Sequence, residues 1–329
     1  MTGNNAAAQP HRIPAAGRAG NHRGPGTAGK RRSGRGQGLA DLAGISPAMA
    51  LFGLFMIVPM AAAVALSFFT WNGLGAPHWA GGANWVRFAR DPVAIGSLAV
   101  TAKIVGLSWV VQTPISMALG LFVAGRQRYR SVYATIYVLP LLLSTAGIAL
   151  MWEALLDPSF GGLTALARSL HLAFLQQNWL GSQAITLYVM VAIIAWQFIP
   201  FHTLLYQVGR RQIPQVLYEA ATIDGASGAR MFWRVTLPQL RYTIATSSTL
   251  MIVGALTYFD IIYIMTDGGP GYATRVLSLD MYHAAFLSNE FGYASVLAVI
   301  LGVIGIGIAL ALTTFTGFSS MASQQEGAA

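Results

Sequence analysis

The chain has no cysteine, which rules out disulfides, a thiol nucleophile and cysteine-ligated metal. Charge is nearly as scarce. Charged residues are 9% of the 329 positions while 55% are hydrophobic, against about 25% charged in a soluble domain, so a water-soluble globular protein is excluded. The alternation over about ten residues that marks each strand of a membrane barrel is missing as well. Helices are then the way to satisfy backbone groups inside lipid. A working phosphate loop is lacking: "GPGTAGKR" (Gly24 to Arg31) has the glycine and lysine spacing, but Arg31 replaces the magnesium-binding hydroxyl and no strand precedes it. There is no HExxH metal helix either.

What is present is a series of long apolar windows, at 46–70, 96–123, 132–154, 184–206, 243–265 and 292–316. Each is long enough to cross about 30 Å of hydrocarbon as a helix. The prediction is an all-α, polytopic membrane protein with six transmembrane helices. A net charge of +9 does not point to nucleic acid, because the basic residues are sorted by loop. Arg12, Arg18, Arg23, Lys30, Arg31, Arg32 and Arg35 precede the first window. Arg126, Arg128 and Arg130 follow the second, and Arg210, Arg211, Arg230, Arg234 and Arg241 follow the fourth. The other side has Arg87, Arg90, Arg168 and Arg275, with Lys103 just inside the second window. The positive-inside rule then puts both termini in the cytoplasm of a multi-pass plasma-membrane protein. Residues 1–40, rich in Gly, Ala, Pro and Arg, read as a disordered basic cytoplasmic tail. Residues 41–320 hold the spans, the first an uncleaved anchor, and 321–329 a second cytoplasmic tail. Pro114, Pro140 and Pro200 fall inside spans, where each is either a hinge or a tolerated packing feature.

The cytoplasmic stretch 207–242 is too patterned for an idle loop. Pro214 can open a helix through Ile223, with Val216, Ala220 and Ile223 on one face and Gln215, Glu219 and Thr222 opposite. Gly225 permits a turn that a side chain would penalise. Asp224 or Ser227 can cap a second helix with Met231 and Val235 on one stripe and Arg230 and Arg234 on another, stopped by Leu237 and Pro238. Apolar faces this short cannot bury each other, so the hairpin either sits in a partner's groove or lies on headgroups or under its own bundle.

The segment "EAATIDGASGARMFWRVTLP" (Glu219 to Pro238) resembles the EAA loop of binding-protein-dependent ABC importer permeases. Glu219, Ala220, Ala221, Asp224, Gly225, Ala226, Phe232, Val235, Leu237 and Pro238 fit its pattern. Further stretches are similar to the MalF-like carbohydrate branch: "TYFDIIYIMTDGGPGYATRVLSLDMY" (Thr257 to Tyr282), "FGYASVLAVIL" (Phe291 to Leu301) and "NWVRFARDP" (Asn84 to Pro92). The resemblance implies the type I permease fold of ABC importers, with 207–242 as a coupling loop docked on a cytoplasmic ABC ATPase dimer. It also implies a second homologous permease, an extracytoplasmic substrate-binding protein, and alternating access that brings a sugar or sugar-like solute inward, with a polyol or glycerol-phosphate derivative as the alternative. ATP and magnesium belong to the partner ATPase, and this chain binds no cofactor or metal and is not itself an enzyme. Membrane lipid is the surrounding partner.

Polar and aromatic residues within spans are candidates for the solute path. Asp260 stands beside Tyr258 and Phe259 in the fifth span; Trp196 and Gln197 lie in the fourth, Gln112 in the second, and Trp152 and Glu153 at the end of the third. Rings with amide or carboxylate acceptors suit a polyhydroxylated ligand. Each residue has a plainer role available: Asp260 in a structural hydrogen bond, Trp152 as an interfacial anchor, Lys103 and Glu153 as a pair or snorkelling. Two other classes fit the sequence less well. "DGASGAR" (Asp224 to Arg230) is one residue too long for the start of a CDP-alcohol phosphotransferase motif and lacks the later aspartates. A proton-driven transporter using Asp260, Glu153 and His202 would need repeats or broken helices and leaves the hairpin without a task.

Overall fold

The computed structural model describes residues 35–125 and 136–315. The segments 1–34 and 321–329, with the expected tails, and Arg126, Arg128 and Arg130 lie outside them. The chain divides into two units at Leu54. The first contains α1 (Arg35–Phe52), which starts within the segment expected to be a tail and carries Pro47 inside it.

The second unit, from Phe55 onward, holds the bundle. It begins with α2 (Val58–Leu66), a two-stranded hairpin of β1 (Phe69–Thr70) and β2 (His78–Trp79), and the short α3 (Ala83–Arg90). Then come α4 (Pro92–Val123), α5 (Ile136–Leu142), α6 (Thr145–Leu156), α7 (Gly162–Ser169) and α8 (Thr186–Gln212). The hairpin segment is α9 (Gln215–Ile223), α10 (Gly228–Met231) and α11 (Leu237–Gln239). It runs into α12 (Arg241–Ala255), α13 (Asp260–Thr266), α14 (Leu277–Tyr282) and α15 (Phe291–Phe315).

Among the described residues Gly44–Leu66, Pro92–Val123, Thr186–Gln212 and Phe291–Leu312 are long and apolar enough to cross a membrane singly. Two further spans are bent pairs, α5 with α6 at 108° and α12 with α13 at 45°. Counted as one span each, they complete the six crossings. Neither break is apparent from the apolar windows, and only one involves a proline. Pro114 and Pro200 lie within unbroken α4 and α8. After Pro140 the chain turns: Leu143 N–H donates to the Pro140 carbonyl, and Ser144 caps α6 by accepting from Gly147 N–H at 3.1 Å. At the second break no proline is needed, because Thr257 N–H bonds to Gly254 O and α13 restarts with Asp260 in its first turn, where a carboxylate suits the positive helix end.

Packing centres on α8. It runs along α4, and the two approach so closely at Gly120 that an added Cβ would sit 2.6 Å from Tyr206 Cβ and 2.8 Å from Thr203 O, the use of small residues expected where membrane helices cross. The main apolar core joins Ile104 of α4, Ile148 of α6, Met190 and Ile194 of α8, and Ile261 and Ile262 of α13. So α6 and α13, the far halves of the two bent spans, pack on each other and on α8. Both breaks are thereby held beside the same stretch of α8.

Candidate coupling face and solute cavity

Two regions carry chemistry, at opposite ends of α12. The first is the α9–α11 hairpin. Its inner side is anchored: Tyr218 is buried with Ile213 and Leu240, and Leu121, Met231, Val235 and Ile244 pack around them. The Tyr218 hydroxyl lies 3.0 Å from Thr236 Oγ1, and the Arg210 guanidinium sits 3.9 Å over its ring. The outer side has no such support. Val216 and Ile223 are 69% and 85% exposed, and Glu219, Ala220 and Asp224 are exposed with them. An apolar stripe flanked by carboxylates thus faces away from its own bundle.

The turn between the helices is fixed by hydrogen bonds. Gly225 N–H donates to Thr222 O at 3.0 Å and Ala226 N–H to Ala221 O at 2.9 Å, the paired pattern that closes a helix on a left-handed residue. Gly225 supplies that conformation with φ +70°. Of the two candidate caps, Ser227 performs the role, accepting from Arg230 N–H at 3.4 Å, and Arg230 and Arg234 remain exposed. Leu237 and Pro238 do not end the second helix, contrary to expectation. Phe232–Thr236 forms a wide π turn and Pro238 begins the next helical piece at its second position, where the loosened carbonyl ladder accommodates the ring. The hairpin therefore continues into α12 as nearly unbroken helix.

The second region is a cavity of about 400 Å³ at the two span breaks. Leu141 and Thr145 line it from the first break, Gly254 and Thr257 through Ile261 from the second, and Phe198, Phe201 and His202 from α8. His202 Nδ1 is 2.9 Å from Ser247 Oγ. Gln197 donates through Nε2 to Thr145 Oγ1 at 3.0 Å, while its Oε1 has no partner among the described residues. Gln112 is 0% exposed, its amide next to the Tyr258 hydroxyl but in no well-formed hydrogen bond. Phe198 and Tyr258 stack at 5.4 Å. The cavity thus combines ring faces, a carboxylate at Asp260 and hydroxyls, with two buried amides behind its wall that have bonding capacity to spare, a lining able to hold a neutral polar solute.

Residues 112–320 match the family model described as binding-protein-dependent transport system inner membrane component. The chain belongs to this family. A probable ABC transporter permease of Pyrococcus horikoshii is 33% identical over 80% of this chain and 91% of its own length. A permease for osmoprotective compounds from Synechocystis is 31% identical over 78% and 91%. The trehalose/maltose permease MalF of Thermococcus litoralis is 33% identical over 70% and 73%. A solved bacterial alginate ABC transporter contains a chain of the same fold, with TM-score 0.75 and 21% identity over 85% of this chain and 95% of that one. The protein is a transmembrane permease of the ABC class, and it groups with the carbohydrate branch.

In this permease the structure collects some of the candidate residues and separates others. Glu219, Ala220, Asp224, Gly225 and Pro238 lie on the exposed part of the hairpin; Ala221, Ala226, Phe232 and Leu237 are half-buried. Tyr258, Phe259 and Asp260 share the cavity, and Gln197 and Gln112 reach its wall through Thr145 and Tyr258. Trp196 is elsewhere: it meets Trp152 edge-on at 5.6 Å beside an apolar cavity lined by Leu156, Leu163 and Trp179. Glu153 is exposed and lines no part of the solute cavity, and among the described residues it forms no ion pair with Lys103. Tyr218, Thr145 and Phe198 were not singled out from sequence. A tyrosine on the third face of α9 and a Ser-Thr pair just after Pro140 were their available signals.

Proposed function

We propose that this permease is one half of the membrane core of an ATP-driven importer that carries a sugar or sugar-like solute into the cytoplasm. The observation that carries the reading is the hairpin. Tyr218 fixes it to α8 and α12 while the Val216–Ala220–Ile223 stripe is left uncovered, so a partner pressing on that stripe moves the bundle. The partner is a cytoplasmic ABC ATPase dimer, which holds the ATP and magnesium; a second, homologous permease completes the path, and an extracytoplasmic binding protein delivers the solute. Both termini are cytoplasmic, and the two bent spans alternate between outward and inward openings around the Asp260 cavity. The carbohydrate names among the relatives, including a diacetylchitobiose permease of Streptomyces coelicolor and a multiple-sugar permease of Streptococcus mutans, favour a neutral sugar. Apart from His202, no basic residue among the described residues lines the cavity, which disfavours a glycerol-phosphate derivative and leaves a polyol as the alternative. The complex reconstituted in vesicles should take up a neutral disaccharide only with ATP inside and binding protein outside, and Glu219→Ala should abolish uptake without reducing membrane insertion. Normal uptake by Glu219→Ala together with Ile223→Asp would refute the coupling role.

The broken spans beside Asp260 favour one rival, a proton-coupled carrier working alone. Uptake by the purified chain that persists without ATP and collapses with a protonophore would establish that rival.

A further inference from the structure

One wall of the solute cavity holds an imidazole whose two nitrogens have different surroundings. His202 is buried on α8, and ionisable side chains at membrane depth are costly and mark functional paths. Its Nδ1 lies 2.9 Å from the Ser247 hydroxyl of α12. The Phe201 ring meets the imidazole edge-on at 5.1 Å, and with the Ser247 contact it sets the plane of the ring. Nε2 has no hydrogen-bond partner among the described residues, yet it is not one of the unpaired polar atoms sealed inside the bundle. It opens on the cavity of about 400 Å³ that His202 borders.

The protons of three side chains decide which nitrogen is the donor. Ser247 is fully buried, and its hydroxyl meets Nδ1. The Tyr206 hydroxyl, equally buried, lies beside the same serine but in no well-formed hydrogen bond. If Nδ1 carried the proton, Ser247 would turn its own toward the Tyr206 oxygen and the phenol proton would be stranded in a dry site. With Nδ1 unprotonated, Tyr206 points its proton at Ser247 and Ser247 donates to Nδ1, so every proton has an acceptor. The imidazole proton is then on Nε2, on the cavity side.

We propose that His202 is a solute-binding residue of this cavity, donating from Nε2–H to a sugar oxygen, and that Ser247 is the residue that positions it. The proposal rests on the sugar-import reading above and names a group that selects within it. The Asp260 carboxylate of the same cavity accepts hydrogen bonds, and His202 sets a fixed donor against that acceptor. A sugar hydroxyl is donor and acceptor at once, so a polyhydroxylated solute satisfies both, whereas one without an acceptor oxygen in reach of Nε2 leaves a buried donor unpaired. Ser247 stands midway along α12 (Arg241–Ala255). The same hydrogen bond therefore ties the solute contact to the helix that leads from the hairpin.

The test uses the complete transport complex in vesicles, with binding protein outside, ATP inside, and radiolabelled maltose, trehalose and diacetylchitobiose as probes, the sugars named for relatives of this chain. An asparagine amide stands in for Nδ1 and a glutamine amide for Nε2, so the two variants separate the tie to Ser247 from the contact with the solute. Sugar moved per ATP hydrolysed should fall about tenfold in His202→Asn and stay within about threefold of wild type in His202→Gln. Ser247→Ala should fall several-fold and Ser247→Thr should match wild type. Adding Ser247→Ala to His202→Asn should lower the ratio no further, because the serine acts through the ring. A His202→Asn complex as active as wild type would show that the solute makes no use of Nε2 and refute the proposal. The reverse order, with His202→Gln the poorer, would show that only the tie to α12 matters and refute it too. Equal loss of complex recovered from membranes by both variants would assign the ring to packing and refute it likewise. If the wild-type complex hydrolyses ATP but transports none of the three sugars, the sugar reading itself fails and the donor role falls with it.

Discussion

Replacing Gly225 by alanine isolates the backbone's part in coupling. The residue sits at φ +70°, and a Cβ built there meets no heavy atom within 4 Å. Steric clash is therefore absent, and the whole penalty is the left-handed backbone, about 1–2 kcal/mol for an ordinary L-residue. That is a factor of roughly 5–30 in the population of the closed turn. Asparagine tolerates the left-handed region and should recover most of the loss. Proline cannot reach positive φ, and it also deletes the Gly225 N–H bond to Thr222 O. The measured quantity is sugar transported per ATP hydrolysed by the reconstituted complex, with membrane insertion followed in parallel. The expected order is wild type, Asn, Ala, Pro. An alanine variant coupled as tightly as wild type, or Asn no better than Ala, would show that the turn's handedness is not what transmits the stroke.

Tyr218→Phe removes a buried hydroxyl bonded to Thr236 at 3.0 Å and should lower stability by about 1 kcal/mol; Tyr218→Ala should cost about 3–5 kcal/mol, both read from thermal unfolding in detergent. Gln112→Leu fills a fully buried site whose amide lacks a well-formed hydrogen bond, so it should leave melting unchanged or raised while lowering affinity for the transported sugar; a large loss of stability would place Gln112 in the scaffold alone. At the end of the bundle away from the hairpin, burial pushes the Asp91 carboxyl up, but hydrogen bonds from the Tyr293 hydroxyl and the Val93 and Ala94 amides, with the Arg87 guanidinium nearby, outweigh it and hold the group below the usual aspartate value. Because the folded value is the lower one, Asp91 stabilises at pH above the ordinary value of 3.8 and that contribution disappears as pH falls through the folded value. The melting temperature should therefore drop as pH falls below that ordinary value and on through the lower folded one, and drop less in Asp91→Asn.

How much of this was legible in the sequence differs by level. Six crossings follow from apolar length, since lipid admits few alternatives. The hairpin follows from spacing: Val216, Ala220 and Ile223 share a face whatever surrounds them. The breaks do not follow. Residues 243–265 read as a single span because Leu256 to Phe259 are as apolar as their neighbours, and only a packed bundle can hold α13 at 45° to α12. The same limit explains Trp196. Its neighbour Gln197 reaches Thr145 on the cavity wall, but one residue on a helix is a rotation of about 100°, which turns the indole toward Trp152 instead. Adjacency in sequence suggested a shared site that helical geometry forbids.

The breaks also bear on how motion at one end reaches the other. From Arg241 to Ala255 α12 is unbroken for 15 residues, a rod of about 22 Å. At its near end the hairpin is fixed by Tyr218 and Leu240; at its far end Gly254, Thr257 and Asp260 border the cavity. A rod displaced at one end and hinged at the other concentrates movement at the hinge. The π turn at Phe232–Thr236 lets Pro238 sit in the helical path without breaking it, so a displacement that passes the Gly225 turn continues along α10 and α11 toward α12. On the proposed coupling, the 45° bend is where a push would appear as a change in opening, and the side chains that line it are those that would meet the solute.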